Sequence, residues 1–165
     1  MTHKHNGFTL VELMVTVAIA VLLLLIGVPA LSSVYQQSRS ETNIKTIQEA
    51  LTFARAQAVS YGREIIVCPY AASPCGTDWS KGLSVYTLNA GAKRVLREYQ
   101  GFNSQDAIKV TGADAEAKIS FGADGMVSSN AEFIYCPNGA SSASRSAKLD
   151  ASGRLSEGSN GLSCG

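Results

Sequence analysis

Residues 8–31, FTLVELMVTVAIAVLLLLIGVPAL, constrain everything this chain can become, because the run is apolar and carries a single ionisable group, Glu12. At about 1.5 Å of rise per residue the run forms a helix of roughly 36 Å, enough to cross a hydrocarbon layer of about 30 Å with some tilt. A charge stranded at the centre of such a helix costs about 2.5–3.5 kcal/mol on insertion scales. Glu12 lies near the start instead, one helical turn after Phe8, and it still needs a reason to be there.

A short polar leader, MTHKHNG, precedes the run and ends in Gly7, so that the junction reads Gly7-Phe8-Thr9-Leu10-Val11-Glu12. This junction resembles the class III signal of type IV prepilins and pseudopilins. The resemblance implies that a membrane prepilin peptidase cuts between Gly7 and Phe8 and that the new amino terminus of Phe8 is methylated. It also implies that Glu12 pairs with the Phe8 amine of a neighbouring subunit during filament assembly. The residues allow a plainer account of the acid. A carboxylate in the first turn is favoured by the helix dipole by about 0.3–1 kcal/mol, and positions 8 and 12 share a helix face, so Glu12 could pair with its own amine. An ordinary secretory signal cut after Val28-Pro29-Ala30 fits less well, since Glu12 interrupts the run and the apolar part exceeds the usual 7–15 residues.

The chain has 165 residues, which suits one domain and its anchor. Lysine and arginine number 14 against 13 acids, and removing Lys4 with the leader leaves 13 against 13. A neutral mature chain lacks the broad basic footprint that drives phosphate binding through counterion release. All four cysteines, Cys68, Cys75, Cys136 and Cys164, follow the apolar run, which places them beyond the inner membrane in an oxidising compartment. Of three pairings, Cys68 with Cys75 and Cys136 with Cys164 close local loops. The loop-entropy account gives them about 2.5 and about 3.6 kcal/mol.

Helical periodicity continues past Leu31. Val34, Ile44, Ile47, Leu51, Ala54 and Ala58 recur mostly at steps of three and four, with Arg39, Glu41, Lys45, Glu49 and Arg55 between them. Gly27 and Pro29 predict a kink or local loosening, and Gly62 a stop. From residue 64 the period changes to short β-rich stretches at 64–68, 83–89, 94–99, 108–111, 117–121, 132–136 and 147–150. Asn89-Ala90-Gly91, Asp124-Gly125 and Ser152-Gly153 punctuate them as hairpin turns. Residues 138–145 read as a mobile serine- and alanine-rich loop. The expected class is α+β, one long N-terminal helix with a membrane-embedded first half, packed on an antiparallel sheet. The divisions are a leader at 1–7, a membrane and assembly helix at 8–31, its amphipathic continuation at 32–61, and a β-rich periplasmic domain at 62–165.

Cys68, Cys75, Trp79 and Gly82 ahead of an apolar strand resemble a block of the GspH/FimT-like minor pilins. Ile119-Ser120-Phe121, Gly125, Cys136, Gly153-Arg154 and Cys164 follow the same family's order. A late Cys136–Cys164 bridge resembles type IV minor pilins more than type II secretion pseudopilins.

Little in the sequence points to catalysis. His3 and His5 are the only histidines and both lie in the leader, so a Ser-His-Asp or Cys-His site is unavailable after the cut. No CxxC pair or phosphate-cradling glycine loop occurs, and the cysteine spacing disfavours zinc. Asp114 and Glu116 read as solvated. The expectation is a protein without enzyme activity, metal or cofactor. Two basic groups remain, Lys93-Arg94 with Arg97, and Arg145, Lys148 and Arg154. Some FimT-like pilins that take up DNA carry a Gly-Arg-x-Arg motif in the final loop, and here Gly153-Arg154-Leu155-Ser156 lacks the second arginine. Trp79, Tyr86, Tyr99, Phe121 and Phe133 read as core.

Taken with the resemblance, these features describe a minor pilin subunit of a type IV pilus in the initiating or tip complex. Its implied partners are other pilin subunits through helix packing, the prepilin peptidase and the inner membrane, and its final location is the cell-surface pilus. The alternatives are a type II secretion pseudopilin, a DNA-binding pilin for uptake, and a Sec-exported periplasmic binding domain.

Overall fold

A computed structural model describes residues 8–71, 75–112 and 118–165. The leader, with Lys4, Gly7 and both histidines, lies outside the described residues, as do Asp114, Glu116 and Ala117. The chain divides into two compact units after Tyr35. One helix, α1 (Leu10–Tyr61), contributes to both.

In the first unit every described side chain from Phe8 to Tyr35 is exposed. Thr16 and Ser33 donate their hydroxyls to the helix's own carbonyls at Leu13 and Ala30, each at 2.8 Å. Both of these hydroxyls are thus satisfied within the helix, as a surrounding of hydrocarbon would require. Gly27 and Pro29 do not end α1.

The second unit, Gln36–Gly165, holds the core. Here α1 buries Ile44, Ile47, Ala50, Leu51, Ala54 and Ala58 on one face. The alanines at every fourth position keep that face low, so the strands can approach closely. The helix stops as its sequence predicts. Gly62 takes φ 58, and the Arg63 N–H reaches back to the Ala58 carbonyl at 3.3 Å, the six-to-one bond of a Schellman ending.

The strands are β1 (Ile65–Pro69), β2 (Leu83–Asn89), β3 (Ala92–Tyr99), β4 (Ala107–Thr111), β5 (Ile119–Phe121), β6 (Ala131–Cys136), β7 (Arg145–Leu149) and β8 (Leu155–Glu157). They form two antiparallel sheets and not one, in the orders β3-β2-β1-β5 and β4-β6-β7-β8. Both sheets turn alternate apolar residues toward α1, among them Ile65, Val67, Leu83 and Val85 from the first and Val110, Phe133, Ala147 and Leu149 from the second. Trp79 joins the two. Asp78 accepts from the Ser80 N–H at 2.9 Å and so starts a 3-10 turn, Trp79–Lys81, that sets the indole edge-on against Phe133 at 5.3 Å.

Two turns behave as expected, Ala90-Gly91 linking β2 to β3 and Ser152-Gly153 linking β7 to β8. Asp124-Gly125 instead folds Phe121 back onto an isolated bridge with Val127. Arg55 clamps these turns to α1, donating from Nε to the Gly125 carbonyl at 3.2 Å and from Nη2 to the Ser152 carbonyl at 3.0 Å. Gly153, at φ 75, is wedged between that arginine and the Gly125 carbonyl, so a side chain has no room there.

Residues 138–145 are not a mobile loop. Two 3-10 turns, Pro137–Gly139 and Ser141–Ala143, carry the chain beneath α1, burying Ala143 and Ser144, and the Ser40 hydroxyl donates to the Ala143 carbonyl at 2.6 Å. Small side chains let this backbone pack closely. β7 then begins at Arg145, two residues before the expected 147.

Disulfides close Cys68 to Cys75, with Cα atoms 5.6 Å apart, and Cys136 to Cys164, 6.2 Å apart. The first covers a small apolar cluster of Ile66, Cys68 and Tyr86 on the outer face of the first sheet. The second pins residues 158–165 across the outer face of the other sheet. Two hydrogen bonds help, from the Gly158 N–H to the Ser146 carbonyl and from the Ser146 hydroxyl to the Ser159 carbonyl, both at 2.9 Å.

Cys164→Ser should therefore cost up to about 3.6 kcal/mol. Limited proteolysis of this variant should cut first after Glu157, leaving 138–145 protected; first cleavage inside 138–145 would contradict the packing described.

Candidate functional site

At the charged end of the apolar helix the described residues are Phe8, Thr9 and Glu12. Thr9 precedes the first helical residue and accepts the Glu12 N–H on Oγ1 at 3.2 Å, while the Glu12 carboxylate accepts the Thr9 N–H at 3.5 Å. This reciprocal pair is a capping box, the T-x-x-E pattern at a helix start. Thr9 was not singled out from the sequence, although that spacing is the signal that would have found it. Phe8 lies before the helix and is 82% exposed, so it is not on a common helical face with Glu12. In the single chain Glu12 serves its own helix end, and Phe8 stays open. Gly7 lies outside the described residues.

The basic residues near the carboxyl end do not converge. Arg145 sits 3.5 Å from Glu41 of α1 and donates to the Ser144 carbonyl at 3.1 Å. Lys148 is three residues further along the same strand and therefore faces the opposite side of the sheet, in register with Glu132 and Ser156. Arg154 is exposed on the β7–β8 turn, where its backbone N–H and the Ser152 hydroxyl both bond the Asp150 carboxylate. The Ser152 hydroxyl, followed by the backbone N–H groups, holds the Asp150 carboxyl below the usual carboxylate range. On β3, Arg97 pairs with Glu49 at 3.0 Å and lies over Tyr99, and Lys93 lies over Tyr86.

Among the described residues no cluster of histidine, cysteine or carboxylate could hold a metal ion. Two grooves of about 420 Å³, one including Glu132, Lys148 and Asp150 and the other Glu41, Lys45, Arg145 and Glu157, each carry charges of both signs.

A buried polar network was invisible in the sequence. Asp106, whose side chain is fully buried, accepts from Arg39 Nη2 at 2.5 Å, from the Asn138 N–H at 2.9 Å and from the Tyr135 hydroxyl. Asn43 donates to the Tyr135 oxygen at 2.6 Å, and Arg39 also reaches Asn138 Oδ1 at 2.8 Å. Burial first, then the bond to Asp106, pushes the Tyr135 phenol well above its ordinary range. These residues hold α1 to β6 and to the turn after it, so their work is structural.

Residues 43–153 match the family described as type II transport protein GspH, and residues 2–28 match the prokaryotic N-terminal methylation motif. The chain belongs to the GspH family. Among solved structures, the type IV minor pilin FimU of Pseudomonas aeruginosa is similar at 25% identity and a TM-score of 0.63, over 76% of this chain and 92% of FimU. A second crystal form of FimU gives a TM-score of 0.60 at 25% identity, over 74% of this chain and 95% of that one. The minor pseudopilin EpsH of the Vibrio cholerae type 2 secretion system shares the fold, with a TM-score of 0.57 at 10% identity over 73% and 96% of the two chains. No curated protein sequence matches significantly.

This GspH-family chain is thus a minor pilin or pseudopilin, a structural subunit of the type IV pilus or type II secretion class. Its N-terminal helix is long and apolar enough to cross a membrane and has the pilin methylation motif at its head, the build of a membrane-anchored subunit. Assembly with other pilin subunits and prepilin processing follow from the family and the motif.

Breaking a buried ion pair from one side costs about 3–5 kcal/mol, because the other charge stays behind unpaired. Asp106→Asn should lower the unfolding free energy by about that much in denaturant titrations, whereas Asp150→Asn on the exposed turn should leave it nearly unchanged.

Proposed function

We propose that this chain is a minor pilin of a type IV pilus, made as a prepilin and stored in the inner membrane with its β-rich domain in the periplasm. In this reading residues 1–7 are the leader, 8–31 the membrane and assembly helix, 32–61 its amphipathic continuation and 62–165 the periplasmic domain. The prepilin peptidase cuts between Gly7 and Phe8, and the Phe8 amine is methylated. The observation that carries the proposal is the Gly7-Phe8 junction set just ahead of Glu12, at the head of a stretch whose described side chains, from Phe8 to Tyr35, are all exposed.

A type IV pilus is favoured over a type II pseudopilus by the higher identity to FimU, 25% against 10% for EpsH, and by the Cys136–Cys164 bridge. Likeness to a minor pilin supports a place in the initiating or tip complex, and export to the cell surface follows from entry into the filament.

Cutting ahead of Phe8 creates a positive amine just outside the helix. Glu12 then has two uses, its own Thr9 N–H and the amine of a neighbour. The neighbour is favoured as an assembly partner because a Glu12 buried in a helix bundle without a counter-charge would cost about 3–5 kcal/mol, against about 1 kcal/mol for the cap bond at an exposed helix start.

Intact-mass measurement of the membrane-extracted protein should give a chain beginning at a methylated Phe8. A mature chain that retains Met1 would remove the prepilin reading.

Glu12→Gln tests the pairing. Glutamine still accepts at this capping position, so the helix start survives with a loss of about 1 kcal/mol or less. The intersubunit charge pair does not survive, at about 3–5 kcal/mol. The variant should be inserted and cut, yet depleted from sheared filaments relative to the membrane fraction. Normal incorporation would leave Glu12 as a cap and nothing more.

A further inference from the structure

At the end of α1 the chain turns through Gly62 into β1, and the β2–β3 hairpin comes up beside it. Between them is a cleft of about 200 Å³ lined by Tyr61, Arg63, Thr87, Arg94 and Leu96. A second concavity adjoins it, sharing Tyr61, Arg63 and Thr87 and adding Glu64 and Leu88. Its walls are fixed. The Thr87 hydroxyl donates to the Glu64 carbonyl at 3.0 Å, the Schellman ending sets Arg63, and the Ala90-Gly91 turn adopts positive φ at both residues, as a tight two-residue hairpin requires.

Four other arginines of this domain are engaged: Arg39 with Asp106, Arg55 with two turn carbonyls, Arg97 with Glu49 and Arg145 with Glu41. The Arg154 guanidinium meets no acceptor among the described residues but lies on the β7–β8 turn, whereas Arg63 and Arg94 share one cleft. Both are exposed, and among the described residues neither guanidinium meets an acceptor. Each guanidinium is a planar fork of donors that matches a carboxylate two bonds at a time. Around them stand exposed Tyr61 and Leu88, at 56% and 49%, with half-buried Leu96. Arginine and tyrosine beside an apolar surface are the residue types that concentrate binding energy at protein interfaces.

We propose that this cleft docks an acidic side chain from an exposed loop of another filament subunit, an inference that rests on the pilin reading above. Charge decides against a nucleic acid. Two arginines release about two counterions' worth of salt-dependent affinity, too little to hold a polyanion at physiological salt. Glu64, in the adjoining concavity, adds a negative charge that disfavours a run of phosphates more than it disfavours a single carboxylate.

The test uses the full-length protein in cells that make the filament, comparing wild type with Arg63→Gln plus Arg94→Gln. Both positions are exposed, so processing and thermal unfolding should match wild type. The expected result is depletion of the double variant from sheared filaments by about tenfold or more, the scale of losing hydrogen-bonded interfacial charges. A photo-crosslinker at Tyr61 should link to an Asp- or Glu-containing peptide of a filament subunit, and the double variant should lose that link. Equal incorporation of wild type and variant would overturn the cleft while leaving the pilin reading intact. A wild type absent from filaments would overturn both. Binding of a single-stranded oligonucleotide that the double variant loses would overturn the protein partner.

Discussion

One buried carboxylate, Asp106, sets the geometry on which the rest of the domain depends. Its side chain has no access to water, and an ion placed there without a partner would cost several kcal/mol. Arg39 supplies the counter-charge from α1, while Tyr135 and the Asn138 N–H fill the remaining acceptor positions. Apolar residues could hold helix and sheet together with equal strength, but they would tolerate sliding. The polar set does not. Arg39 and Asn43 are one turn apart on the helix, and Ser40 between them bonds the Ala143 carbonyl, so a shift of α1 by one residue would break all three attachments at once. We read the network as what fixes the helix register on the two sheets.

The two stretches of α1 answer to different solvents. From Gln36 onward the helix spends its apolar face on the protein core and shows charge to water. Before Tyr35 the described apolar side chains are exposed all round, far more hydrophobic surface than a soluble protein carries. Such a surface requires lipid or other helices, and a subunit that moves from one to the other keeps the same face against both. Glu12 is the exception on that face, and the capping box gives it an occupation in the isolated chain.

Much of this was legible in the residues. The membrane-length run, the Gly62 stop, most strand positions and the aromatic core followed from period and turn chemistry, which are local properties. What escaped was non-local. Nothing around Asp106 distinguishes it from a loop aspartate, because its partners lie 67 residues earlier in Arg39 and 29 later in Tyr135. Arg55 sits between apolar neighbours in the helical pattern and proves to bind two turns that lie 70 and 97 residues later in the chain. The 138–145 stretch has the composition of a flexible linker, yet small side chains also permit close packing under a helix. Three-residue β8 is too short for alternation to show.

The Cys136–Cys164 bridge has a consequence for the timing of maturation. Synthesis from the amino end presents Cys136 earlier than Cys164 by 28 residues, and until the later cysteine is made the earlier one lacks the mate that closes the outer face of its sheet. Covalent closure thereby records that the chain has been made at least as far as residue 164.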